Sequence, residues 1–194
     1  MNWAAIFDGI LALIAIALAI QAPRTFPAVR LGSLLLACAA ALGALRFSDL
    51  WPQPSMHQFF SMLGAGVALP LLVVTLVMPE SAVSRQRRFA WIFMVIMAIA
   101  CILLTLLAQI KLWPSACALV SALASATVAL KRRDGKAATA GLLMLLALLA
   151  FAGKIQTDTL RPGEFLHIGL SLSLLVTWLW CTCRPHTALN NGAE

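Results

Sequence analysis

Seven apolar segments, each long enough to cross a lipid bilayer, constrain the fold of this chain more than any other feature. They cover 3–20, 30–47, 57–78, 89–110, 113–130, 137–153 and 164–183. Hydrophobic residues make up 62% of the 194 residues, which is more than a soluble domain of this length can bury. The sequence therefore predicts an all-α integral membrane protein with seven transmembrane helices. The short fifth and sixth segments and the alanine-rich second one also permit six.

The basic residues are divided unequally between the two sides of the predicted membrane. Ten lie in alternate connections or in the tail, namely Arg24, Arg30, Arg85, Arg87, Arg88, Lys131, Arg132, Arg133, Lys136 and Arg184. The other side carries Arg46, Lys111, Lys154 and Arg161. This asymmetry predicts an N-terminus outside and a C-terminus in the cytoplasm. The net charge of +7 is then a topology signal that can also contact anionic lipid, and it does not indicate a nucleic-acid partner.

The connections between the apolar segments are short, which predicts one transmembrane domain over residues 1–184. The polar residues 185–194 are predicted to form a disordered cytoplasmic tail. Compactness and short tails favour a multi-pass protein of a bacterial inner membrane. Its expected partners are the lipid bilayer and other membrane subunits.

Two features of the third segment predict its shape. Ser55 and Gln58 have the spacing of a capping box, which predicts the helix start at this point. Pro70 lies in the middle of the segment and cannot donate a helical hydrogen bond, so a kink is expected there.

The third and seventh segments begin alike. Residues 57–61 read HQFFS and residues 167–171 read HIGLS, so each pairs a histidine with a serine four residues later. Before each of them, a basic residue (Arg46 or Lys154) ends one helix, an acid follows, and prolines turn the chain. We therefore predict a 3+1+3 plan of two parallel three-helix repeats joined by the fourth helix, a kind of plan known among transporters.

These patterns predict a polar pocket that opens to the outside. A histidine and a serine four residues apart share one helix face, and ionisable groups at membrane depth usually face an interior or a watery cavity. The candidate ligand-binding residues are Asp8, Arg46, His57, Ser61, Lys154, Glu164, His167 and Ser171. The competing interpretation is that these are ordinary boundary residues, with Glu164 at the positive end of the seventh helix and Asp8 paired with Arg46.

The leading functional interpretation is a non-enzymatic membrane protein that binds or transports a small or lipid-like anionic ligand, attracted by Arg46 and Lys154. Three alternatives remain open: a haem b electron-transfer subunit, an intramembrane zinc hydrolase, and an accessory or assembly subunit of a membrane complex. The first is an electron-transfer subunit in which His57 and His167 ligate a haem b, with Gly64 and Gly169 leaving room for the ring.

The second alternative is an intramembrane zinc hydrolase, with His57, His167 and a carboxylate as ligands. This arrangement broadly resembles that of seven-span ceramidase-like hydrolases, which implies a metal-activated water. Their last helix carries two histidines four residues apart, however, and here Ser171 occupies the second position. The departure leaves the metal one ligand short.

Overall fold

The computed structural model describes residues 2–107, 112–158 and 160–183, and this part of the chain is a bundle of seven long helices. They are α1 (Trp3–Gln21), α2 (Pro27–Phe47), α3 (Pro54–Val77), α4 (Arg87–Ile102, continuing as a π-helical turn Leu103–Leu107), α5 (Trp113–Lys131), α6 (Gly135–Ala152) and α7 (Pro162–Cys183). A short helix, Ala82–Arg85, lies between α3 and α4. The predicted all-helical, seven-span fold is confirmed, and the chain has the fold of a multi-pass membrane protein. The predicted tail 185–194, Arg184 and Lys111 lie outside the described residues.

We call the end of the bundle where α1, α3, α5 and α7 begin the outer end, and the opposite end the basic end. The basic end is where α2, α4 and α6 begin, and it carries most of the arginines and lysines. That this end faces the cytoplasm stays a prediction from the charge asymmetry.

Prolines and polar caps set where the helices begin. Pro27, Pro54 and Pro162 are the first residues of α2, α3 and α7, a position where the missing N–H of proline costs nothing. The capping box predicted for α3 at Ser55 is wrong, since α3 already begins at Pro54 and no side chain caps it. The fixed φ angle of Pro54 is enough to start this helix.

Asp134 ties the start of α6 to the end of α7. Its Oδ1 accepts a hydrogen bond from the Ala137 N–H at 3.1 Å, and its Oδ2 accepts one from the Trp180 indole at 2.8 Å. We expect Asp134→Ala to lower the free energy of unfolding by about 2 kcal/mol, because it removes both a helix cap and the acceptor of the Trp180 N–H, each worth about 1 kcal/mol. Reversible unfolding in mixed detergent micelles measures this. Asp134→Asn keeps a capping oxygen but places an amide N–H where the Trp180 indole needs an acceptor, so it should lose only about 1 kcal/mol; an equal loss in both variants would contradict the capping role.

The middle of α3 contains a wide π-helical turn. This turn spans Gly64–Ala68, and the Leu69 N–H donates to the carbonyl of Gly64, five residues back. Pro70 has no N–H to donate to Gly66, so an α-helical turn would leave that carbonyl without its bond. The kink expected at Pro70 therefore takes the form of an inserted residue, as is common for π turns within helices.

The helices form a ring of six with α4 outside it. Within each trio, α1 packs on α2 and α2 on α3, just as α5 packs on α6 and α6 on α7. The two trios meet where α1 packs on α7 and where α3 packs on α5. Exchanging the trios maps every one of these neighbours onto another, so the neighbour relations agree with the predicted 3+1+3 plan.

Small side chains bring α5 and α6 close together. Ala118, Ala122 and Ala126 on α5 are buried, and a Cβ on Gly141 of α6 would lie 2.6 Å from the backbone nitrogen of Ala126. Such close backbone approach replaces the hydrophobic driving force that helices lack inside a membrane. α5 and α6 therefore form a tightly packed pair, and α7 packs on α6.

Candidate functional site

A cavity of about 110 Å³ lies in the outer half of the bundle. The first part of α3, Pro54–Leu63, packs on α2 and has few neighbours elsewhere, whereas its last part, Leu69–Val77, packs on α5. The first part of α3 therefore stands away from α6 and α7. This leaves a gap, which α1 and α2 also border. The residues that line this gap are Asp8, Leu11, Leu36, Ala39, Ala40, His57, Ser61, Gly64, Ala65, Leu69, Leu148, Leu166, His167 and Leu170.

Asp8 is the most buried polar residue of this lining. It lies on α1 with 1% of its surface exposed, and its Oδ1 is 3.2 Å from His167 Nδ1 on α7. The two groups are close enough to interact electrostatically, although they are not aligned as a hydrogen bond, and Oδ2 has no hydrogen-bond partner among the described residues. A carboxylate in this position is costly inside a membrane, which makes it a candidate functional group.

Gly43 on α2 provides the space that Asp8 and His57 occupy. A Cβ at this position would lie 2.7 Å from Asp8 Cγ and 2.9 Å from His57 Cε1, closer than non-bonded carbon atoms approach. The absence of a side chain on α2 therefore lets one residue of α1 and one of α3 meet over the same turn. The cavity exists in this form because residue 43 is glycine.

The two histidines of the repeated motif line the same cavity from opposite sides. His57 lies on α3 and His167 on α7, as their pseudo-equivalent positions predict. The His57 and Phe47 rings are nearly perpendicular at a centroid distance of 5.6 Å, and Arg46 lies over the ring of Phe47 at 5.1 Å. Nδ1 of each imidazole lacks a hydrogen-bond partner within the described part of the chain.

The structure brings four of the eight predicted site residues together and places the other four elsewhere. Asp8, His57, Ser61 and His167 line the cavity. Ser171 is buried one turn deeper on α7, outside the lining. Arg46 contacts Phe47 beside the cavity.

Glu164 and Lys154 serve as helix ends. Glu164 is buried and its Oε2 accepts the Arg161 N–H at 2.7 Å, which caps the start of α7. Lys154 is exposed beyond the end of α6, where its φ of 52° closes the helix in the left-handed region. The boundary interpretation thus accounts for the positions of these two residues.

The sequence did not indicate Gly43 or the leucines that form most of the cavity wall. Leu36, Leu148 and Leu166 come from three helices, and nothing distinguishes them from lipid-facing leucines along the chain. Gly43 could have been read as a point of close packing, but its neighbours come from two other helices. Which residues form the cavity wall depends on the angles at which the helices pack.

Neither cofactor considered from the sequence fits the described residues. Within the described part of the chain, no three His, Cys, Asp or Glu side chains are grouped so that they could hold a metal ion. The cavity volume of about 110 Å³ is smaller than the roughly 300–1,000 Å³ of sites for drug-sized molecules, and haem is larger still. Gly169, expected to leave room for a haem ring, instead packs against Ala147 of α6.

The fold and the cavity together define a multi-pass helical membrane protein with a small, mainly apolar recess that carries one buried carboxylate and two imidazoles. No protein-family model matches the chain, and comparison with curated proteins and with solved structures found no match either.

Proposed function

We propose that this membrane protein binds a small amphipathic molecule in the outer-half cavity, with a cationic, hydrogen-bond-donating head placed at Asp8. The observation that carries the proposal is the Asp8 carboxylate, which is 1% exposed and keeps one oxygen without a partner among the described residues. An ammonium group supplies both the opposite charge and the missing hydrogen-bond donor. The ligand would thus compensate the cost of burying Asp8.

The rest of the lining supports an apolar body on this ligand. Most of the wall is leucine and alanine, and the volume of about 110 Å³ suits a molecule of a few carbon atoms. Among the described lining residues none is lysine or arginine. The anionic ligand expected from Arg46 and Lys154 therefore gives way to a cationic one in this proposal, and we expect the imidazoles of His57 and His167 to bind the head from either side.

A matched series of ligands tests this function. We would titrate n-butylammonium, n-butanol and n-butyrate into detergent-purified protein and measure binding by saturation-transfer NMR. The ammonium should bind at least about tenfold more tightly than butyrate, since a charge-assisted hydrogen bond contributes about 1.5–3 kcal/mol. The double variant His57→Ala and His167→Ala should bind it at least about tenfold more weakly than wild type, because both hydrogen-bonding rings are lost.

Ser171→Ala is the matched control for the histidine variant. Ser171 lies one turn from His167 on the same helix but outside the lining, so its removal should leave ligand binding unchanged. Tighter binding of butyrate than of butylammonium would contradict the proposed head group. Wild-type affinity in the double histidine variant would contradict the proposed site.

Transport of such a ligand is a second candidate function. The cavity favours it because residues of both trios line it, and many transporters place the substrate at the interface of two repeats. Uptake of radiolabelled n-butylammonium into proteoliposomes distinguishes a transporter from a binding protein. Uptake that depends on Asp8 would favour transport, and binding without such uptake would count against it.

A further inference from the structure

A second recess lies at the basic end of the bundle, far from the cavity of Asp8. It is a groove of about 710 Å³ between the connection after α1, the start of α2 and the start of α4. Its lining combines Arg24, Arg30 and Arg87 with Trp91 and the apolar residues Leu31 and Leu34. Three elements of the chain thus each contribute one arginine to a single groove.

The positive charge of this groove is not balanced by the protein. No acidic residue lines it among the described residues, and none of its three arginines forms a salt bridge with the described part of the chain. Arg85 at the same end differs, since it pairs with Glu80 at 2.8 Å and lies over the Phe26 ring. The groove therefore presents cations that an anionic ligand would satisfy.

Arg30 is held in place for such a ligand. Its Nε donates a hydrogen bond to the Ala19 carbonyl at 2.9 Å, which fixes the guanidinium between α1 and α2. The two remaining amino groups of the Arg30 guanidinium can each donate a hydrogen bond to a phosphate oxygen. Holding the side chain in advance reduces the entropy lost on binding.

The groove changes from cationic to apolar along α2. Arg30 and Leu34 are four residues apart and share one face of this helix. Leu34 lies one turn further from the basic end. Leu34 is 53% exposed although it is a large apolar side chain. Trp91 borders the groove on α4, and tryptophan rings favour the level of the lipid head groups.

We propose that this groove is a binding site for an anionic phospholipid. The arginines would bind the phosphate group, and an acyl chain would lie along Leu31 and Leu34. Basic pockets between helices at this level of the membrane have the chemistry of lipid head-group sites. The exposed apolar floor favours a lipid over free phosphate, because a phosphate ion would gain nothing from the leucines.

Native mass spectrometry of the full-length protein tests this site. Protein in neutral detergent would be titrated with dioleoyl phosphatidylglycerol, dioleoyl phosphatidylcholine or inorganic phosphate. We expect the wild type to bind the first phosphatidylglycerol molecule at least about tenfold more tightly than phosphatidylcholine. The triple variant Arg24→Gln, Arg30→Gln and Arg87→Gln should reduce this preference to about twofold or less.

Two further variants control for folding and for overall charge. The double variant Arg24→Gln and Arg87→Gln leaves the Arg30 hydrogen bond intact and should lose part of the preference. The triple variant Arg88→Gln, Lys131→Gln and Arg133→Gln removes the same charge from the same end of the bundle but outside the groove, and it should retain the wild-type preference.

Three outcomes would overturn the lipid site. An equal loss of preference in the control triple variant would show a general charge effect. Equal affinity of the wild type for both lipids would exclude an anionic head-group site. Displacement of phosphatidylglycerol by inorganic phosphate at the same concentration would show that the apolar floor contributes nothing.

Discussion

Asp8→Asn will weaken the binding of n-butylammonium and will make the bundle more stable than the wild type. The carboxylate is buried and one of its oxygens has no partner among the described residues, so its charge has a desolvation penalty of several kcal/mol. Asparagine carries no charge and removes much of this penalty, and we expect a gain of about 1 kcal/mol or more in the free energy of unfolding. Removing the charge that holds the ligand should weaken binding by about 2 kcal/mol or more, a factor of roughly 30. Saturation-transfer NMR measures the first effect, and unfolding in mixed micelles measures the second.

Asp49→Asn is the matched control for Asp8→Asn. Asp49 is exposed after the end of α2, and asparagine tolerates its φ of 59° as well as aspartate does. This variant should leave both binding and stability unchanged. If Asp8→Asn instead binds normally, or is less stable than the wild type, Asp8 is a structural residue and the proposed function fails.

Gly43→Ala should damage the cavity without replacing any charged or polar side chain. The added methyl group would collide with Asp8 and His57, so α1 or α3 must move. Overpacking of this kind costs about 1–3 kcal/mol, and we expect this loss in the free energy of unfolding. Displacing both side chains should also weaken binding of n-butylammonium at least about tenfold, as the loss of one charge-assisted hydrogen bond would.

Gly9→Ala offers the comparison for Gly43→Ala. A Cβ on Gly9 meets nothing within 4 Å, although Gly9 is the neighbour of Asp8 on α1. Alanine is the better helix former, so this variant should gain about 0.5–1 kcal/mol and bind the ligand normally. Equal behaviour of the two glycine variants would mean that the shape of the cavity does not depend on residue 43.

The seven helices could be predicted from the sequence because the rule involved is local. A run of apolar residues of bilayer length must form a helix in lipid, whatever its neighbours are. The short connections then fix alternate directions, and the repeated histidine motif pointed to two pseudo-equivalent helices. His57 and His167 could be related from the sequence because both lie just inside the start of a helix.

The individual roles of the polar residues depended on geometry that the sequence does not carry. Glu164 looks like a pocket residue in the sequence, yet it satisfies the backbone of its own helix. Lys154 lies near the motif in the chain but is exposed just beyond the end of α6 and does not line the cavity. Gly43 contacts Asp8 and His57 only through the packing of three helices. Side chains at helix ends have several ways to be satisfied, and packing selects among them.

The π turn in α3 interrupts a polar stripe along this helix. The sequence places His57, Ser61 and Thr75 on one stripe of an uninterrupted helix, which would be a polar track across the membrane. The extra residue at Gly64–Ala68 breaks that stripe, and the Thr75 hydroxyl donates to the Leu71 carbonyl of its own helix. The polar residues of α3 that line the recess, His57 and Ser61, therefore both lie in the outer half. Restoring one continuous polar stripe along α3 would require the helix to shift its register by one residue, a motion of microseconds to milliseconds.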